Sequence, residues 1–275
     1  MEKSLLLAKL KVTGISLAVW AVLASILFLC VRMFWYQDFL FSYDGGLQGI
    51  ELIVPIDLIL GPGLMFVIYN PAKPRNTRLV DIAVVLAVQL SAFGYGLYQV
   101  EELHPALITY FQTGFSSVRG EMLDRQKASA STFASLSNHE PPFLFVKPPA
   151  PEYMQRMINL SMGQGVAVNA QVELLDNLAA HKSDAFAGDA TLRQFLQKFP
   201  EQAQQLQGYA PDKTKLAWFE GRDSGVVLVF DNDANYVGYI GLPPGQANPV
   251  GTPLVKVAKK SNMLPQASAA SGAKS

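Results

Sequence analysis

The chain has 275 residues, half of them hydrophobic and only 16% charged, against roughly 25% charged in soluble domains. Its formal net charge is zero and its one cysteine, Cys30, lies in an apolar run, which excludes a strongly basic nucleic-acid face and a disulfide within the chain. The average hides a split between an apolar first hundred residues and a mixed remainder, so one or two domains are expected.

Val12 to Met33 is the first long apolar run, about the 20 residues that a bilayer core requires. Lys3, Lys9 and Lys11 precede it as they would a signal peptide. The run is too long for one, and Arg32-Met33-Phe34-Trp35-Tyr36 offers no small-residue cleavage site. It reads as an uncleaved span over 12–34, with Trp35 and Tyr36 as interfacial aromatics. It is not a pilin N-terminus, because Gly14 is followed five residues on by Val19 and not by a glutamate. Further spans are expected at 50–69 and 79–100. The loop Gln37–Gly49 has no Lys or Arg, whereas Asn70–Arg78 has Lys73, Arg75 and Arg78. The positive-inside rule therefore puts the N-terminus and the second loop in the cytoplasm, and everything after about residue 101 outside, in a bacterium the periplasm. Arg32 runs against this trend and is tolerated by snorkelling to the interface.

The second span carries Ile56-Asp57-Leu58-Ile59-Leu60-Gly61-Pro62-Gly63. A carboxylate at that depth costs roughly 2.5–3.5 kcal/mol on insertion scales and is by default a functional-site hypothesis. Centring the span near residue 59 or 60 puts Asp57 about 4 Å to the outer side of mid-plane. Gln89 lies at nearly the same depth in the third span. Arg32 is about 15 Å from the centre of its own helix, too far for an ion pair. Gln89, with Ser91 or Ser25, is the expected partner. Pro62 cannot donate to the carbonyl of Leu58, so a kink beside Gly61 is expected. Gly94 and Gly96, the latter in Ala92-xxx-Gly96, mark a small-residue helix crossing. Two roles stand open for Asp57: interhelical glue, or contact with a partner helix or proton. Three spans without an inverted repeat argue against a transporter.

Beyond residue 103, His104–Gln112 and Phe115–Val118 around Thr113-Gly114 predict a hairpin. Lys127–Asn138 is Ser/Ala-rich with few apolar anchors. The Leu144–Lys147 core of a proline-flanked stretch predicts a short edge strand or extended linker. Apolar spacing predicts helices over Pro151–Leu160, Val168–Ala180 and Asp189–Phe199, the last with a Thr191/Gln194 capping box. Glu201–Gln207 reads as a solvated helix end. Lys215–Glu220, Gly225–Phe230 and Tyr236–Ile240 predict a three-stranded antiparallel meander. The expected fold class is therefore a three-span α-helical membrane domain (1–103), then a periplasmic α+β domain with the meander (104–260), then a disordered tail (261–275).

Asp231, Asp233 and Asn235 begin like a calcium loop, but Tyr236 and Leu242 stand where its glycine and bidentate glutamate belong. His104, His139 and His181 lack metal-ligand spacing, and no nucleophile elbow, Walker or dinucleotide motif occurs. Neither an enzyme nor a bound cofactor or metal is expected.

Several motifs together, Asp44-Gly45-Gly46-x-Gln48-Gly49, Asp57-Leu58-Ile59-Leu60-Gly61-Pro62, Asn70-Pro71-x-Lys73-Pro74 and Ala92-Phe93-Gly94-Tyr95-Gly96, resemble the type IV pilin accessory proteins of the TfpX/TfpZ kind. The resemblance is specific over about residues 37–100 and looser beyond. It implies an inner-membrane protein of a Gram-negative bacterium that assists assembly or surface display of a type IV pilin. Its partners would be that pilin, the pilus assembly machinery and the lipid bilayer. It carries over no catalytic residues. A membrane-anchored periplasmic sensor or envelope scaffold would share the same topology.

Overall fold

The computed structural model describes residues 2–186, 192–200, 209, 213–222 and 224–241. Helix α1 (Glu2–Cys30) continues through a π-helical turn, Val31–Trp35. After the short helix α2 (Leu40–Tyr43), helix α3 (Gly46–Leu58), a π segment (Ile59–Gly63) and α4 (Leu64–Ile68) form one interrupted rod. Helix α5 (Arg75–Leu103) is the third long helix. Three helical stretches, Leu6–Trp35, Gly46–Ile68 and Arg75–Leu103, are long and apolar enough to cross a membrane. Each outruns its apolar run at one or both ends. Flanking residues such as Arg75, Arg78, Glu101 and Glu102 continue the helix, because long side chains reach water from there. The break in the second rod follows from Pro62, which has no N–H. The ladder widens by one residue, and the Leu64 N–H reaches back to the carbonyl of Ile59.

The chain leaves α5 and turns into a sheet after one residue. Strand β1 (Pro105–Phe111) and β2 (Gly114–Arg119) form the expected hairpin, and a short helix α6 (Gly120–Asp124) follows. Then come β3 (Phe143–Val146), α7 (Met154–Gln164), β4 (Leu175–Asn177), α8 (Lys182–Ala185) and α9 (Leu192–Lys198). The meander β5 (Thr214–Glu220), β6 (Gly225–Asp231) and β7 (Tyr236–Gly241) is as expected. Hairpin and meander join in one seven-stranded sheet of order β4-β3-β1-β2-β5-β6-β7. Only the β1–β3 and β2–β5 pairs are parallel.

Two expectations are corrected. The stretch Leu144–Lys147 is not an edge: β3 pairs with β1 on one side and β4 on the other, and all four of its residues are buried. The prolines lie outside its four residues, so every N–H is free to bond. Val168–Ala180 is not a helix. It divides into 3-10 turns (Val168–Ala170, Val172–Leu174), β4, and a 3-10 turn (Leu178–His181). The Lys147 N–H bonds the Leu174 carbonyl and β4 pairs with β3, so the sheet ladder outcompetes the helical spacing. The Ser/Ala-rich Lys127–Asn138 holds a 3-10 segment (Ala130–Leu136) anchored by the buried Phe133. Thr191, Glu201–Gln207 and the tail 261–275 lie outside the described residues.

The period of two explains how the sheet is covered. Ile108, Tyr110, Phe143, Phe145, Leu228 and Phe230 point to one core, shared with Leu27, Val31, Phe39 and Val100 from the helical portion. Leu107, Leu144 and Val146 point the other way, into a core with Leu123, Val166 and Leu174. Val227 and Val229 do the same farther along, under Leu192 and Phe195 of α9. The helical bundle and the sheet are thus welded through one continuous core, although the sequence divides cleanly near residue 103.

Candidate functional site

The weld is made by the segment between the first two spans. Phe39 is wholly buried, with its ring 4.9 Å from that of Phe219, 5.9 Å from Tyr236 and 6.0 Å from Tyr239. Burial, then Asp38, push the Tyr236 phenol well above its ordinary range, so it stays protonated and donates to Asp38 Oδ2. The Tyr36 hydroxyl donates to the Leu103 carbonyl at 3.3 Å and ties the segment to the end of α5. Of these aromatics, the sequence marks only Tyr36, with Trp35, as interfacial. The signal available was their density: Tyr36, Phe39, Phe41 and Tyr43 are too apolar for a simple solvated loop.

Asp44 lies half-buried beside this weld, hydrogen-bonded to Ser117 and to the backbone of Arg222, with Arg119 nearby. Burial outweighs these partners and pushes its carboxyl up to about 6 from an ordinary 3.8. A raised carboxyl stabilises the fold fully below the ordinary value and loses that contribution as pH rises through about 6. The junction should therefore gain roughly 2–3 kcal/mol as pH falls from 8 to 4. Asp44→Asn should flatten that dependence. Hydrogen exchange of β2 amides across this pH range in both proteins checks it; parallel slopes would refute the assignment.

Two glycines then let α3 begin under the sheet. Gly45 has φ +98°, a left-handed conformation, and a Cβ there would stand 3.3 Å from the Arg222 guanidinium. A Cβ on Gly46 would stand 2.9 Å from the Tyr36 ring. From this point a groove of about 500 Å³ runs between α3 and α5. Its walls are Leu52, Ile53 and Ile56 of α3, and Ala92, Gly96 and Val100 of α5. Gln48, Gln99 and Arg222 ring the end nearest the sheet, and Asp57 closes the other. Leu52, 67% exposed, stands on an open rim.

Of the predicted site residues, Asp57 and Gly96 line this groove. Asp57 and Gln89 are each 7% exposed and line a second cavity of about 10 Å³ behind the groove. Asp57 is the middle residue of the helical stretch Gly46–Ile68, and Gln89 the middle residue of Arg75–Leu103. Ser25 and Ser91 are not partners, since each hydroxyl donates to a carbonyl one turn back, Ala21 and Ala87. Arg32 is turned away, donating to the Asp38 carbonyl at 3.2 Å with its guanidinium over the Phe41 ring. Among the described residues, none hydrogen-bonds the Asp57 or the Gln89 side chain. Gly61 and Pro62 are buried, and the Gln89 amide packs where a Gly61 Cβ would be, 2.6 Å away. Gly96 is buried against Ile53. Gly94 is exposed, with open space around its Cβ direction, and packs on no neighbouring helix among the described residues. The groove also takes in Gly49, of the Gly45-Gly46-x-Gln48-Gly49 cluster, and Gln99 and Arg222, which no sequence signal marks.

Comparison with known proteins adds the family. The chain is 33% identical over 114 residues to the fimbrial assembly protein of serogroups C1 and C2 of Dichelobacter nodosus, covering 40% of this chain and 84% of that protein. It belongs to the fimbrial assembly protein family. The serogroup I and serogroup E1 fimbrial assembly proteins of the same organism match at 33% and 32% over 114 residues, again 40% of this chain. The match spans 43% of the length of each, less than half of those relatives. No protein-family model and no solved structure matches the chain. In this member of the fimbrial assembly family, the groove is the one large cavity among those described that joins the spans to the sheet.

Proposed function

We propose that this chain is an inner-membrane accessory protein of the TfpX/TfpZ kind that serves fimbrial biogenesis by holding a type IV pilin subunit, without catalysis of its own. The groove between α3 and α5 carries this reading. In lipid there is no hydrophobic drive between helices, so association depends on close van der Waals packing at small residues and on polar contacts. Gly49, Ala92 and Gly96 supply the first and Asp57, buried without a partner among the described residues, the second. The groove side from Gly46 to Asp57 is about 16 Å long at 1.5 Å per residue, three turns of a docked helix. That helix would be the apolar N-terminal segment of a pilin, with Asp57 or Gln89 hydrogen-bonding its intramembrane polar group.

Orientation follows from charge. Lys3, Lys9, Lys11 and the loop with Lys73, Arg75 and Arg78 share the end far from the sheet, so positive-inside puts that end in the cytoplasm and the sheet in the periplasm. The sheet then stands beside the head of a membrane-embedded pilin, and the pilus assembly machinery is within reach of both.

Crosslinking tests the reading. A photoreactive phenylalanine in place of Leu52 should form an adduct with pilin in cells that express both proteins. The same group in place of Val67, exposed on α4 outside the groove, should not. Absence of an adduct at Leu52, or equal adducts at both positions, would leave the groove without its occupant.

A further inference from the structure

The helix α7 is apolar on two sides. Its inner side is fixed: Tyr153 and Leu160 pack on the core beneath β1 and β3. Gln171, wholly buried, donates to the Met157 carbonyl at 3.1 Å and to Ser161 Oγ at 2.9 Å. Its outer side shows Met154, Ile158 and Met162, 46%, 42% and 85% exposed, spaced four apart on one stripe. Single exposed apolar residues are ordinary, but three in line on one helix mark a surface that something covers.

Position identifies the cover. Helix α6 starts where α5 ends, with the Gly120 N–H bonded to the His104 carbonyl at 3.3 Å, and it packs along α5. Arg125, the residue after α6, pairs with Glu121 and donates through Nη1 to the carbonyl of Gln164, the last residue of α7, at 2.7 Å. The C-terminal end of α7, with Met162, is therefore tied one short helix away from the point where the third span ends. Tyr95 and Tyr98, exposed on the last turns of that span, sit where interfacial aromatics mark the headgroup level. We propose that the Met154–Ile158–Met162 stripe lies on the bilayer surface, with Met162 inserted at the headgroup–acyl boundary as an amphipathic interfacial helix. This contact fixes the tilt of the sheet over the groove. It rests on the spans crossing a bilayer and not on the identity of the groove's occupant.

The test uses the full chain in vesicles of phosphatidylethanolamine and phosphatidylglycerol. Cys30→Ala removes the native thiol, and Met162→Cys carries an environment-sensitive dye; so exposed a side chain can be replaced without disturbing the fold. Lipid bearing a nitroxide near its headgroup should lower the fluorescence at position 162 about twofold or more, as for an inserted amphipathic helix. The same dye on Gln197→Cys of α9 should be unaffected. Quenching at 162 no greater than at 197, with free access to aqueous iodide, would overturn the proposal. So would a dye that stays in water until purified pilin is added and is shielded only then, since a protein would then be the cover.

Discussion

Phe39→Ala should loosen the whole sheet while leaving three inserted spans. Phe39 belongs by sequence to the link between the first two spans, yet its ring fills the space between Phe219, Tyr236 and Tyr239 with nothing exposed. Truncating a buried phenylalanine costs about 3–5 kcal/mol, from lost transfer energy plus the cavity left behind. The span helices gain their stability from the bilayer and from one another, so the loss falls on the weld. Amides of β5 and β7 should exchange on the order of a hundredfold faster or more, and those of α1 should hardly change. Met33→Ala, an exposed and equally apolar deletion nearby, should leave both unchanged. If Phe39→Ala exchanges like the parent, the bundle and the sheet are independent bodies and the weld carries no energy.

The weld also decides what the groove is. A cleft between two spans alone would be closed by a small slide of one helix past the other. Here α3 is held at Gly45 and Gly46 beneath Arg222 and Tyr36, and α5 is held at Leu103 by the Tyr36 hydroxyl. Both helices are thus held at the sheet end. Asp44 sits at the same junction, where burial raises its carboxyl to about 6.

Much of this architecture is legible in the residues. Long apolar runs require spans, because a bilayer leaves backbone groups no partner but their own helix. Thr113-Gly114 and the Asp231–Asn235 turn separate strands at the expected places, the latter closed by Asp231 accepting from the Asp233 and Asn235 N–H groups. Pro62 announces the break in the second span. The failures have a common cause, which is tertiary competition. Val172, Leu175 and Ala179 have helical spacing, but a free strand edge at β3 offered Leu175–Asn177 a ladder, and Asn177 capped the next turn through the Ala179 N–H. In the site, Asp57, Gly61, Pro62 and Gln89 stand out because each breaks the rule for a lipid-buried helix. Gln99 and Arg222 do not stand out. A glutamine near a span end and an arginine in a turn are ordinary until the fold sets them 123 positions apart in sequence around one cavity.

Occupancy of the groove by a pilin helix can be probed at Gly49. This glycine lines the groove, and a Cβ there would meet nothing within 4 Å. The first carbon of a side chain at position 49 therefore has open space beside the groove. In a helix, leucine is also favoured over glycine by close to 1 kcal/mol, so Gly49→Leu should fold and insert at least as well as the parent. An isobutyl group in the space meant for a close helix crossing removes the van der Waals fit on which association in lipid depends. Gly49→Ala, with only a methyl added, should retain most of the interaction. The measurement is the amount of pilin that co-purifies with each variant at matched membrane levels. The account predicts that Gly49→Leu loses about tenfold or more, equivalent to at least ~1.4 kcal/mol, while Gly49→Ala stays near the parent. Full recovery of pilin with a stably inserted Gly49→Leu protein would contradict it.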